Sequence, residues 1–318
     1  MKRKNKKCII FGGGGFIGSN LAEDLLTKGY FVTVFDKLYF NKFNLKDFIN
    51  DIEIIEGDFF NKNDVRKAIL DKDIVIHLVS STVPENSNQN PIYDIETNLV
   101  SSVNLFNECV NNNVSKLIFI SSGGTVYGIP EKIPIRESYC GHPICSYGIV
   151  KKAIEDYLFM FNKLFGLDFF IFRLSNPYGI KQNPKVSQGV IPVFLYKTMR
   201  REKIEVWGDG TVIRDFIYIK DAVECIVKSL EKKSAQKVFN LGSGIGHSIN
   251  EILKVIESVT KIKPDVNYLP SRKIDVPVNI LDSSLARRIF KWKSKTTLKE
   301  GINNLYKYFS KNLKIYDK

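Results

Sequence analysis

Tyr147 and Lys151 stand four residues apart in a stretch with helical patterning. Spacing i, i+4 puts both side chains on one helical face. An ammonium a few ångströms from a phenol favours the phenolate, which would make Tyr147 a general base near neutral pH. A YxxxK pair also arises by chance on exposed helices. Here it follows a serine-rich strand end, Ser121-Ser122-Gly123-Gly124-Thr125-Val126-Tyr127-Gly128, and lies downstream of a glycine-rich loop.

That loop, Gly12-Gly13-Gly14-Gly15-Phe16-Ile17-Gly18, joins an apolar run to a helical pattern. Glycines there permit a tight turn and close approach of the backbone to a pyrophosphate, which then sits on the helix N-terminus. Asp36 ends the next apolar run, 18 residues past Gly18. A carboxylate there accepts hydrogen bonds from both ribose hydroxyls and repels a 2′-phosphate, so NAD is expected rather than NADP, with Lys37 softening the preference. A bound nicotinamide cation would lower the Tyr147 pKa in the same sense as Lys151. A second acidic point, Gly57-Asp58-Phe59, follows the third apolar run, where a side chain can reach an adenine amino group.

Cys140, His142 and Cys145 fall within six residues but show no fourth ligand, and they read as loop or pocket wall; no metal is expected. His77 closes an apolar run and reads as a packed strand-end histidine, while His247 reads as a loop residue before a helix.

The elements that must carry these residues alternate. Strands are predicted over 8–11, 31–35, 52–56, 74–78, 116–121 and 168–174, and helices over 16–28, 64–70, 92–112 and 146–165. Strand–helix alternation implies an α/β fold, a Rossmann-type doubly wound parallel sheet. After Leu174 the rhythm breaks at Asn176-Pro177 and Gly208-Asp209-Gly210, which predicts a second, smaller α/β domain.

Composition agrees with a globular chain: 318 residues, 44% apolar and 25% charged. No uncharged apolar run reaches the roughly 18 residues that span a bilayer, so no membrane partner is expected. Residues 1–8 are basic but lead into a short apolar run and then glycines, unlike a signal peptide. Five cysteines without CxxC spacing fit a reducing compartment, the cytoplasm. The formal charge of +13 comes from scattered Lys and Arg, with one dense cluster at 2–7. Compositional bias and a polyphosphate ligand explain it better than nucleic acid.

Jointly the motifs resemble the extended short-chain dehydrogenase/reductases of the NAD-dependent epimerase/dehydratase family, most like the UDP-glucose 4-epimerases. The likeness covers nearly the whole chain: the glycine loop, Asp36, Gly57-Asp58, His77-Leu78, SSGGTVYG, the YxxxK pair, Arg173 to Gly179, Trp207 to Gly210, Arg214 to Tyr218, and Arg272 to Asp275. It implies that Gly12, Gly15, Phe16, Ile17, Gly18, Asp36, Asp58 and Phe59 hold NAD, with Ser80, Ser81, Asn98, Tyr147 and Lys151 near its nicotinamide half. It implies a substrate diphosphate on Asn176, Arg214 and Arg272, a guanidinium suiting phosphate. Asp275 would take the uridine ribose, and the segment ending at Trp207 would flank the uracil. The domains would be 1–175 plus about 211–241 for NAD, and about 176–210 plus 242–318 for the nucleotide sugar. A homodimer packed through helices near 92–112 and 146–165 is also implied.

The family carries Ser or Thr four residues before the Tyr of VYG, to hydrogen-bond the reacting hydroxyl. This chain has Gly123, leaving Thr125, Ser122 or a water to fill that role. Dehydratases of the group carry an Asp-Glu pair just before VYG, where this chain has Gly124 and Thr125, so water elimination is not expected. The implied reaction is 4-epimerisation of a UDP-hexose through a 4-keto sugar. The alternatives are a nucleotide-sugar 4-ketoreductase or a non-catalytic cofactor-binding or nucleic-acid-associated member. Four residues after Asp275, Asn279 falls where the resemblance places the wall beside the sugar C2 substituent. It is smaller than Tyr and can donate to an acetamido carbonyl, so N-acetylated sugars are expected as well.

Overall fold

The computed structural model describes residues 6–185, 189–271 and 276–316. The first half runs β1 (Lys7–Phe11), α1 (Phe16–Thr27), β2 (Phe31–Asp36), β3 (Glu53–Glu56), α2 (Lys62–Ile69), β4 (Ile74–His77), α3 (Pro91–Asp94), a π-turn (Ile95–Val100), α4 (Ser101–Asn111), β5 (Lys116–Ser122), α5 (Ser146–Phe165) and β6 (Phe169–Leu174). Then follow β7 (Asn176–Tyr178), α6 (Val190–Arg200), β8 (Ile204–Trp207), β9 (Ile213–Tyr218), α7 (Ile219–Ser229), β10 (Val238–Leu241), β11 (Gly246–Ser248), α8 (Ile249–Thr260), β12 (Val266–Leu269), β13 (Val278–Asn279), α9 (Ser284–Phe290) and α10 (Leu298–Tyr316).

Seven strands form the main sheet in the order β10-β6-β5-β4-β1-β2-β3. β3, β2, β1, β4 and β5 pair in parallel. This is the doubly wound order, in which the chain reverses between β1 and β4 and opens a crevice at their carboxyl ends. Because both faces are covered, the central strands read as unbroken apolar runs, and Ile9, Ile10, Val75, Ile76, Leu117 and Ile118 are fully buried. A four-stranded sheet is centred on β9, which pairs with β11, β13 and β7, while β8 and β12 form a parallel pair.

The chain divides into two compact units. The first comprises Met1–Gly128, Cys140–Arg173 and Val223–Phe239; the second comprises Ile129–Tyr139, Leu174–Ala222 and Asn240–Lys318. Among the described residues no helix is long and apolar enough to cross a membrane.

Two expectations are corrected. The helix predicted over 92–112 is interrupted by the π-turn Ile95–Val100, where Thr97 and Asn98 are buried in a polar network. Periodicity alone does not register one extra residue in a turn. His247 lies not in a loop but in β11, opposite Arg214 of β9.

Candidate active site

The turn after β1 is set by Gly12, whose φ of +82° suits glycine, and by Gly18, where a Cβ would come within 2.4 Å of the Gly12 carbonyl oxygen. The backbone N–H groups of Gly12 and Gly13 donate to the Phe35 carbonyl at 2.9 and 3.3 Å, tying the loop to β2. Helix α1 then begins after Gly15 without a side-chain cap, and a Cβ on Gly15 would meet only the Gly12 carbonyl, at 3.4 Å. An uncapped helix start beside open space suits a pyrophosphate. Phe16, Ile17 and Gly18 form the first turn of that helix.

Asp36 ends β2, and its carboxylate accepts from Gly14 N at 2.8 Å and Lys37 N at 2.9 Å. Burial raises its pKa, against the pull of those two donors. Each oxygen keeps a lone pair, the acceptor set that a ribose diol requires. Asp58 is exposed and caps its own turn by accepting from Phe60 N at 2.9 Å. The Phe59 side chain belongs to the core, packed on Phe11 and His77, which leaves its backbone as the part able to meet a ligand. These features fit NAD.

The Tyr147–Lys151 pair stands on the first turns of α5. Ser146 N donates to Asn88 Oδ1 at 2.8 Å, Tyr147 N to Ser87 Oγ at 3.1 Å, and Ser146 Oγ to Asp94 Oδ2 at 2.6 Å. A segment 52 to 60 residues upstream thus caps the helix that carries Tyr147. Gly148 lets α5 approach the serine-rich run, since a Cβ there would lie 2.9 Å from the Thr125 carbonyl oxygen.

The structure corrects the expected effect of Lys151 on Tyr147. Burial pushes the Tyr147 phenol up to about 12, and the group that pulls it back is Ser80, by a hydrogen bond between the side chains. Lys151 Nζ donates to the Ile120 carbonyl at 3.2 Å and lies 5.6 Å from the centre of the Tyr147 ring. Burial brings the ammonium itself down to about 8, opposed by the negative charges of Asp94 and Glu155. Desolvation therefore outweighs the attraction expected between the pair.

Behind them, Asn98 Oδ1 accepts from Ser81 N at 2.9 Å, while its Nδ2 donates to Ser81 Oγ at 2.9 Å and Asp94 Oδ1 at 2.8 Å. Ser81 and Asn98 thus brace the strand end carrying Ser80. Ser87, Asn88 and Asp94 were not singled out by the sequence; the signal available was Asn90-Pro91, a helix start that fixes Asp94 one turn in. Of the two candidate hydroxyls, Thr125 Oγ1 is buried without a hydrogen-bond partner among the described residues. Such a group costs roughly 1–3 kcal/mol unless a ligand satisfies it. Ser122 is half-buried at the end of β5.

In the second unit, β9 carries Arg214, whose Nη1 donates to the carbonyls of Ile213 at 3.0 Å and Val276 at 2.5 Å. Asn279 lies opposite it in β13 and is 1% exposed. Asn176 of β7 donates from Nδ2 to the Asp215 carbonyl at 3.0 Å. Asp215 in turn is fully buried and accepts from Ser243 N, Gly244 N and Leu281 N, which ties two segments to β9. Trp207, half-exposed at the end of β8, lines an open cleft of about 770 Å³ with Gly208, Tyr268, Leu269, Ser271 and Pro277. Tyr268 was not anticipated. Arg272 and Asp275 lie outside the described residues.

Comparison with known proteins follows the same lines. A model of the NAD-dependent epimerase/dehydratase family matches residues 8–242. The crystal structure of UDP-glucose 4-epimerase from Thermotoga maritima with UDP-glucose is 32% identical, with a TM-score of 0.91 over 96% of this chain and 99% of that one. UDP-N-acetylglucosamine 4-epimerase from Methanobrevibacter ruminantium, solved with UDP-N-acetylmuramic acid, is 32% identical with a TM-score of 0.90 over 97% of this chain and 99% of that one. The dTDP-4-dehydro-6-deoxyglucose reductase of Escherichia coli is 30% identical over 96% of this chain and 98% of its own. The chain belongs to the NAD-dependent epimerase/dehydratase family.

Thr125→Val keeps the side-chain shape and removes the hydroxyl. It is expected to leave NAD affinity unchanged and to lower NAD-dependent turnover about 10²-fold, the scale of one preorganised donor. Ser122→Ala is expected to cost far less. Equal losses in both variants, or none in either, exclude Thr125 as the donor.

Proposed function

We propose that this member of the NAD-dependent epimerase/dehydratase family catalyses 4-epimerisation of a UDP-hexose through a 4-keto sugar. The observation that carries the reading is the Tyr147–Lys151 face of α5 beside the orphaned Thr125 hydroxyl, with no carboxylate at positions 124 and 125. That set can move a hydroxyl proton but offers no acid–base pair for eliminating water.

When bound, NAD would be held by the glycine loop, Asp36, Asp58 and the Phe59 backbone, and would supply hydride transfer at C4 and a positive charge near Tyr147. Tyr147 takes the C4 hydroxyl proton and gives it back after the ketone has turned. Ser80 holds the phenol in place, and Thr125 donates to the reacting oxygen. Residues 1–175 plus the part of 211–241 from Val223 on serve NAD, and about 176–210 plus 242–318, with β9 of the second unit, serve the sugar nucleotide. Arg214, Asn176 and Arg272 anchor the diphosphate, Asp275 the ribose, and the cleft beside Trp207 the uracil. Net redox is zero, so NAD stays bound.

Asn279 supports a C2 acetamido group, being small, buried and in register with Arg214. Ile92, Val100, Ile149 and Leu164 leave apolar side chains exposed on the helices over 92–111 and on α5, which supports a homodimer packed through them. Five free cysteines support a reducing, cytoplasmic setting.

Purified protein incubated with acetylated and unacetylated UDP-gluco and UDP-galacto sugars is expected to epimerise both pairs without consuming added NADH. Tyr147→Phe is expected to cost at least about 10²-fold in rate. Asn279→Tyr is expected to lose the acetylated pair selectively, and equal turnover of both pairs in that variant removes its role. Stoichiometric oxidation of NADH by a 4-keto sugar would identify a reductase instead. Light scattering is expected to give a dimer that Ile149→Glu converts to monomer; a dimer unchanged by that substitution places the interface elsewhere.

A further inference from the structure

Tyr147, Lys151 and Glu155 recur every four residues along α5 and so share one face. Glu155 is fully buried, and so is most of Arg173, near the end of β6. Arg173 Nε donates to the two carboxylate oxygens of Glu155 at 3.1 and 3.2 Å, and its Nη2 to Oε2 at 2.5 Å. Ser121, at the end of β5, donates from Oγ to Oε1 at 2.6 Å. The guanidinium lies 4.8 Å from the centre of the Tyr127 ring, within the serine-rich run itself. One carboxylate thus ties α5 to β5 and β6 directly behind the catalytic pair.

Stability does not account for such a pair. Desolvating two charges costs several kcal/mol per ion, and apolar replacements of a buried pair are often as stable. What the pair does have is a buried cation one turn away. Lys151 is 4% exposed, with the Phe119 ring 4.8 Å from its Nζ. The titratable and charged groups that act on it are Tyr147 and Glu155 from its own helix, Asp94 from α3 and His77 from β4. His77 is held neutral by its burial and by the Lys151 charge, so it contributes no counter-charge.

We propose that Glu155 is a positioning residue for Lys151: clamped by Arg173 and Ser121, its carboxylate fixes the catalytic face of α5 against β5 and keeps the Lys151 ammonium charged. Arg173 orients the carboxylate by the bonds from Nε and Nη2 while its guanidinium lies over the Tyr127 ring. The inference rests on the proposed reaction only in that the Tyr147–Lys151 face of α5 carries it, and its test reads the ammonium directly.

The experiment follows the ε-ammonium groups of the full chain by NMR after ¹³Cε-lysine labelling, with the Lys151 signal identified by its loss in Lys151→Met. The wild-type midpoint is expected near 8. In Glu155→Gln it is expected to fall by about one pH unit, the usual size of a nearby-charge effect. Glu155→Asp, which keeps the charge, is expected to hold the midpoint near the wild-type value. Should Glu155→Gln not fold, the pair Glu155→Gln with Arg173→Met leaves no lone buried charge and is expected to show the same fall. The alkaline limb of kcat is expected to move with the midpoint while KM for the sugar nucleotide stays. An unmoved Lys151 midpoint in the folded variant overturns the proposal, as does a Glu155→Asp midpoint displaced as far as that of Gln. A displaced midpoint in a protein that turns over no UDP-sugar would overturn the reaction assignment and leave this inference standing.

Discussion

Burial opposes the charged form of both groups that α5 brings to the chemistry. Tyr147 must lose a proton and Lys151 must keep one, and desolvation pushes the phenol up to about 12 and the ammonium down to about 8. Much of the first unit answers that constraint. Ser80 hydrogen-bonds the phenol, and Asp94 and Glu155 add negative charge that favours the ammonium, Asp94 at the same time raising the phenol. Asp94 is held by Ser146, Thr82 and its neighbour Asn98, and Glu155 by Arg173 and Ser121. A bound NAD cation would add positive charge near the phenol, in the sense that favours the phenolate.

What the sequence made legible is the part written in local spacing. The glycine loop between strand and helix, Asp36 at the next strand end, and the i, i+4 pair each depend on neighbours within a few residues or one βαβ unit. They stand where their pattern requires. The order of the sheet also follows from alternation and handedness. What was not legible depends on contacts between segments far apart in the chain. Ser80 reads as a residue near the nicotinamide and turns out to bond Tyr147, sixty-seven positions away. The helix over 92–112 looks continuous because a π-turn leaves its apolar spacing almost intact, while turning Asn98 toward Ser81. The sign of the Tyr147 shift was missed because spacing shows which charges are near but not how much water has been removed.

Gly123 and the loss of the expected hydroxyl there illustrate a different point. A hydroxyl can be supplied from another position of the same turn if that turn buries it unsatisfied, as this one does with Thr125. The same short run decides the reaction class, because glycine and threonine at 124 and 125 cannot act as an acid–base pair. In the proposed reaction one loop would therefore supply the donor for ketone formation and withhold the carboxylates that dehydration needs.

The central claim is that C4 hydride leaves and returns within one catalytic cycle, with no net redox and no exchange with water. Incubating the protein with UDP-glucose deuterated at C4, and analysing the epimer by mass and NMR, tests it most directly. The account predicts that the galacto product keeps the deuterium at C4 and that NADH does not accumulate. Deuterium lost to solvent, or product formed only in step with NADH added or released, would contradict it.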